Sequence, residues 1–152
     1  MRFLLSIIVA LLILTSCSDV VNVTECDCEN PFVDSISTVT ISRVIDGDTY
    51  KFGLGADTIT IRLLNIDCFE VRNTQRLRDQ AEAKQITVDS ALALGFMAEN
   101  FANQFMLNRQ VKIHRDFTEP NMDSFGRLLR HVFVGGVSMA DTLKSLGLVF
   151  EE

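Results

Sequence analysis

Asp48, in the run Ile45-Asp46-Gly47-Asp48-Thr49, is the first of five ionisable residues whose types suit one reaction. Arg62 follows in Ile61-Arg62-Leu63-Leu64, Asp67 and Glu70 in Asn65-Ile66-Asp67-Cys68-Phe69-Glu70, and Arg127 in Asp123-Ser124-Phe125-Gly126-Arg127. Two Asp can hold a hard cation, and two Arg can clamp a phosphate with forked donors of fixed charge. A Glu can take a proton from water or position it. Together these are the groups for metal-assisted phosphodiester hydrolysis, in which negative charge grows on the phosphate oxygens in the transition state. Taken singly, each residue has a plainer use. Asp46 and Asp48 flank a Gly in a turn, where Asp bonds the local backbone. Asp67 and Glu70 suit solvated acids at a strand end, Arg62 a cross-strand ion pair, and Arg127 a hairpin cap.

Those residues need rigid elements to bring them together. Thr38 to Ser42 alternates polar and apolar residues as a half-buried strand, and a second strand over Thr49 to Leu54 leaves the Asp46-Gly47-Asp48 turn. In Thr58 to Leu63, Ile59, Ile61 and Leu63 share one face, and Thr58, Thr60 and Arg62 share the other. Arg109 to Phe117 and Leu128 to Val134 are the fourth and fifth strand candidates, and Gly135-Gly136 closes the last. Leu92 to Leu107 reads as an amphipathic helix that turns Leu94, Met97, Ala98, Phe101 and Phe105 inward as core filling. A short helix starts at Ser138 with a capping-box pattern and runs through Leu146, with Gly147 at its C′ position. Between Glu70 and Ser90 the chain is polar, with a candidate helix over Asp79 to Ile86. The resulting expectation is a mainly β fold with α: a five-stranded barrel of the OB type, with a helix between strands 3 and 4 and a short C-terminal helix.

Arg2 precedes an apolar run from Phe3 to Leu14, too short to span a bilayer and of the length of a secretory signal's core. Leu14-Thr15-Ser16-Cys17 resembles the lipobox of bacterial lipoproteins, which implies cleavage before Cys17 and its lipidation. The expected organisation is a signal over residues 1–16, a lipidated Cys and acidic tether over 17–31, and one folded domain over 32–152. The expected location is the bacterial cell envelope, membrane-anchored through Cys17 and exported, with the domain a monomer. Of the remaining thiols, Cys26 and Cys28 either pair in the tether or stay unpaired, and Cys68 is expected to be free. His114 and His131 lie in separate strand candidates without partners at metal-ligand spacing and read as structural or surface residues. The whole chain carries 14 Lys and Arg against 20 Asp and Glu, a net charge of −6. Broad non-specific nucleic-acid binding, which draws on many Lys and Arg contacts to phosphate, is therefore disfavoured. A local basic site is not.

The order Val44-Ile45-Asp46-Gly47-Asp48-Thr49, Arg62-Leu63-Leu64-Asn65-Ile66-Asp67 with Glu70, then Asp123 to Arg127 resembles the thermonuclease (staphylococcal nuclease-like) family. The resemblance runs from about Thr38 to Phe150. It implies an OB-fold barrel bearing a Ca²⁺-dependent phosphodiesterase that acts on DNA and RNA, single-stranded or locally open, and leaves 3′-phosphate ends. By position it implies that Asp48, Asp67 and the backbone carbonyl of Cys68 hold the calcium. Arg62 and Arg127 would meet the scissile phosphate, and Glu70 would stand beside the attacking water. Two departures bear on substrate grip. Cys68 and Phe69 replace the family's usual Thr or Ala and Pro, which frees the backbone that aims Glu70. Ser124 and Phe125 stand where Lys and Tyr are frequent. The segment from Glu70 to Gly95 is long for the family; it reads either as a substrate-gripping loop carrying Arg72, Arg76 and Arg78 or as a solvated insert. Phe125 is a further candidate substrate contact. The competing expectation is a non-catalytic OB module that binds a polyanion or a protein partner.

Overall fold

The computed structural model describes residues 37–151. The signal, Cys17, the tether, Cys26 and Cys28 lie outside the described residues. Three long strands open the fold: β1 (Ser37–Val44), β2 (Thr49–Leu54) and β3 (Asp57–Leu63). A two-residue strand, β4 (Asp67–Cys68), leads into two helices, α1 (Gln75–Ala83) and α2 (Val88–Met106). Strands β5 (Gln110–His114), β6 (Leu128–Val134) and β7 (Val137–Ser138) follow, then α3 (Met139–Ser145) and β8 (Val149–Glu151).

β1 pairs antiparallel with both β2 and β5, β2 with β3, and β5 with β6. A parallel pairing of β3 with β6 then closes five strands into a barrel. Order and closure are those of an OB-fold-like barrel. Alternation fills its interior with Val39, Ile41, Tyr50, Phe52, Ile61, Leu63, Val111, Ile113, Leu128 and Val132, all buried. Ile61 and Leu63 point inward, as the period-two pattern of their strand requires. β5 is shorter than the expected Arg109–Phe117, because the chain turns away after His114. His114 tilts against Phe133 at 4.6 Å, and His131 lies 3.5 Å from Asp116.

The region between β3 and β5 holds two helices: α1 overlaps the candidate over Asp79 to Ile86, and α2 the helix expected over Leu92 to Leu107. α1 begins where the Thr74 side chain accepts a hydrogen bond from the Leu77 amide, and α2 where Thr87 accepts from Ser90. These caps start both helices earlier than apolar periodicity suggests. The long segment is thus a helical pair and not a loop. The buried face of α2 matches the expected stripe only in part: Ala98 is buried and Leu94 and Phe101 pack against the core. Ala91, Gly95, Ala98, Ala102 and Met106 are buried, whereas Met97 and Phe105 are exposed. Small side chains let the helix lie close to the barrel, and the aromatics fall on its flank, where Phe101 and Phe105 stack at 4.4 Å. α3 follows its capping pattern: Ser138 accepts from the Asp141 amide, and Gly147 takes φ +66° after the Leu146 cap.

Candidate functional site

Backbone pairing brings three distant segments to one end of the barrel. Thr49 lies opposite Arg62 in the β2–β3 ladder, so the turn residue Asp48 abuts Arg62, and the Leu63 amide donates to the Asp48 carbonyl at 2.8 Å. In the parallel β3–β6 ladder Arg62 faces Leu129, which sets Arg127 beside the same strand end. β4 carries Asp67 and is held by β8 through the Asp67–Glu151 pairing. Gly47 permits the turn to sit close. A Cβ there would lie 2.6 Å from the Ala98 Cβ and 2.7 Å from the Cys68 Sγ.

These segments line one cleft of about 300 Å³, formed by Asp46, Asp48, Arg62, Asp67, Cys68, Phe69, Glu70, Arg76, Phe125 and Arg127. Its polar groups form a continuous chain. Arg127 Nη1 donates to Thr49 Oγ1 at 3.4 Å, and Thr49 Oγ1 donates to Asp48 Oδ1 at 3.0 Å. Arg62 pairs with Asp48 through Nη1, and with Asp67 Oδ1 through Nη2 at 2.5 Å. Arg76 then grips Asp67 Oδ2 through Nη2 at 2.7 Å and Glu70 Oε1 through Nε at 2.8 Å. Asp48 is nearly fully buried and its second oxygen accepts from the Cys68 amide at 2.6 Å. A buried carboxylate persists only with such compensation.

All five motif residues, Asp48, Arg62, Asp67, Glu70 and Arg127, therefore converge on one cleft. Cys68 and Phe125 line it too, Phe125 as an 82% exposed ring with the Arg127 guanidinium 5.4 Å from its centroid. Of the three arginines after Glu70, the cleft takes only Arg76. Arg78 bonds Asn73 and Gln75 on the outer side of α1, and Arg72 is exposed and does not line the cleft. Helical geometry explains the split, since only one of two residues two apart can face a given side.

Three participants carry weaker sequence signals. Asp123 braces Arg127 twice, accepting from its amide at 2.9 Å and its Nε at 2.6 Å. Burial raises the Asp123 carboxyl, but the Arg127 amide and guanidinium and the Phe125 amide together hold it below the usual range. Asp46 accepts from the Asp48 amide at 3.1 Å, the local turn bond expected of it. Burial pushes its carboxyl up, opposed by Thr49, Arg62 and Arg127. Gln80 is buried on α1; its one sequence hint is a place beside Leu77 and Ala81 on that helix's apolar face. Cys68 is a free, buried thiol pushed up to about 12 by burial, against the pull of Arg62.

For a cation, the cleft offers the Asp48 and Asp67 carboxylates and the Cys68 carbonyl. These are hard oxygen donors of the kind Ca²⁺ takes, with further positions left to water or phosphate. Among the described residues no three His, Cys, Asp or Glu side chains cluster as a ready-made metal site. Arg62 bridges both carboxylates, so a cation would compete with that guanidinium.

No family model matches the chain. Among curated proteins, an uncharacterized protein of Methanocaldococcus jannaschii is 31% identical over 97 residues, covering 62% of this chain. The match covers 47% of that protein, so the chain spans about half the length of the curated relative it matches.

Proposed function

We propose that the cleft hydrolyses phosphodiester bonds in DNA and RNA, single-stranded or locally open, with Ca²⁺ as cofactor, as in the thermonuclease-like family its motifs resemble. The observation that carries this reading is the ion-pair chain Asp48–Arg62–Asp67–Arg76–Glu70 in one cleft, which Arg127 joins through the Thr49 hydroxyl. Water attacks phosphorus, the P–O5′ bond breaks, and the products carry a 3′-phosphate and a 5′-hydroxyl. Arg127, whose Nη2 has no partner among the described residues, offers donors to an equatorial phosphate oxygen, and Asp123 fixes its direction. Arg62 contributes a second guanidinium. Glu70, at the cleft rim, receives the proton of the water or orients it. A calcium ion held by Asp48, Asp67 and the Cys68 carbonyl would add Lewis-acid stabilisation of the phosphate. In the same reading the domain is exported and tethered to the cell envelope by lipid on Cys17.

The test is cleavage of single-stranded DNA by the full chain with calcium and with EDTA. Cleavage is expected only with calcium. Arg127→Ala is expected to lower the rate by about a hundredfold, the usual cost of one transition-state donor, and Glu70→Gln to lower it comparably. Arg127 is the better probe than Arg62, because removing Arg62 leaves the buried Asp48 charge unpaired, which costs about 3–5 kcal/mol of stability. A second reading has its own support: both carboxylates are already neutralised by arginines, as in a non-catalytic module that binds a polyanion or a protein partner. Calcium-dependent turnover eliminates it.

A further inference from the structure

We infer that Gln80 is a positioning residue of this cleft, whose single amide sets the Asp67–Cys68–Glu70 backbone. The inference rests on the hydrolytic reading above. Gln80 is 3% exposed, on the face of α1 between the buried Leu77 and Ala81. Its Nε2 donates to the Cys68 carbonyl at 3.0 Å and to Asp67 Oδ2 at 3.4 Å, and its Oε1 accepts from the Glu70 amide at 3.0 Å. The two ends of the amide cannot be exchanged, because a backbone N–H only donates and a carbonyl only accepts. No ionised side chain meets that demand. A carboxylate lacks the donor, and an ammonium or guanidinium lacks the acceptor.

The partners of Gln80 are the groups whose aim matters most. Asp67 and the Cys68 carbonyl are the oxygens offered to a cation, and the Glu70 amide fixes where that side chain leaves the backbone. The same stretch is also held by Asp48, which accepts from the Cys68 amide, by Arg76, which pairs with Asp67 and Glu70, and by the pairing of β4 with β8. Phe69 packs edge-on against Phe150 at 5.6 Å, and a Cβ on Gly95 would lie 2.5 Å from the Glu70 carbonyl oxygen. The Phe150 and Gly95 contacts act from the sides, and Arg76 reaches only the side chains of Asp67 and Glu70; Gln80 bonds backbone groups both before and after Phe69. Outer partners of this kind typically change metal affinity or activity by about 10–100-fold when removed.

The test compares wild type and Gln80→Met in the full chain, since Met keeps the length and removes both polar ends. Single-stranded DNA cleavage gives kcat and KM, calorimetry with calcium alone gives cation affinity, and thermal unfolding reports the fold. For Gln80→Met the expected result is cooperative unfolding, kcat lower by about tenfold or more, KM within about twofold, and calcium binding weakened by a similar factor. Should that variant fail to fold, Gln80→Glu keeps length and the acceptor for Glu70 while removing both donors, and kcat is again expected to fall by about tenfold. A folded variant with a lower melting temperature but wild-type kcat and calcium affinity reduces Gln80 to a packing residue and overturns the inference. A wild-type protein that does not cleave with calcium overturns the hydrolytic reading and this inference together. The two failures are distinguished by the wild-type arm alone.

Discussion

Asp123 shows how much of this cleft depends on residues that do not face its centre. It holds the Arg127 backbone and guanidinium at once, and its carboxyl titrates below the usual range. For a carboxylate depressed in the folded state, the stabilisation is complete above the unfolded value near pH 4 and is lost as pH falls through the lower folded value. Asp123→Asn should therefore be less stable than wild type at neutral pH, with a gap that closes progressively below about pH 4. Chemical denaturation at several pH values measures it, and a gap independent of pH would remove Asp123's carboxylate from the account. Cys68 gives a second residue-scale expectation. With its thiol pushed up to about 12, almost no thiolate exists at pH 8, and the side chain is buried. Peptide mapping after alkylation should find position 68 unmodified in the folded protein and modified in denaturant. Rapid labelling under native conditions would mean that this wall of the cleft opens.

The helices act on the cleft through close approach more than through side chains of their own. α2 presents Ala91, Gly95, Ala98 and Ala102 inward, and at Gly95 the helix touches the Phe69 and Glu70 carbonyls. A methyl group there meets backbone atoms, which cannot swing aside as a side-chain tip can. Gly95→Ala is expected to destabilise the fold by about 1–3 kcal/mol, as overpacking does. It should also impair cleavage at temperatures where the variant remains folded, because Glu70 must shift. Denaturant midpoints and rates on one preparation test both, and full activity at unchanged stability would show that the contact relaxes freely. On α1, Arg76 is 58% exposed yet holds Asp67 and Glu70, so the helix delivers one cation into the cleft and turns Arg78 away from it.

At the scale of the whole molecule, an acidic chain of net charge −6 presents a cleft with three arginines, Arg62, Arg76 and Arg127. Each phosphate contact on a single strand contributes roughly −0.7 to the slope of log affinity against log salt. Binding of single-stranded DNA by the Glu70→Gln protein should therefore weaken with salt along a slope of about −2. Fluorescence anisotropy across salt concentrations reads the slope directly. A value steeper than about −4 would place a second, larger basic surface in play.

The strands of the barrel were legible in the sequence because their side chains alternate: Ile61 and Leu63 inward, Arg62 outward, whatever the partner strands do. The start of α3 was equally local, written in Ser138 and closed by Gly147. The order of charged motifs, Asp48, Arg62, Asp67, Glu70 and Arg127, could likewise be picked out one by one along the chain. Their convergence was expected only through the resemblance of the motif order to a known family. The pairings that produce it, β2 with β3, β4 with β8 and β3 with β6 across more than sixty positions, are encoded by no local pattern. The same limit explains α2, where hydrophobicity favours Phe105 and Met97 as the buried face, and proximity to the barrel selects alanine and glycine instead. It explains Gln80 as well: an amide in a polar helix carries no mark of its partners until packing brings the backbone of residues 68 and 70 within its reach.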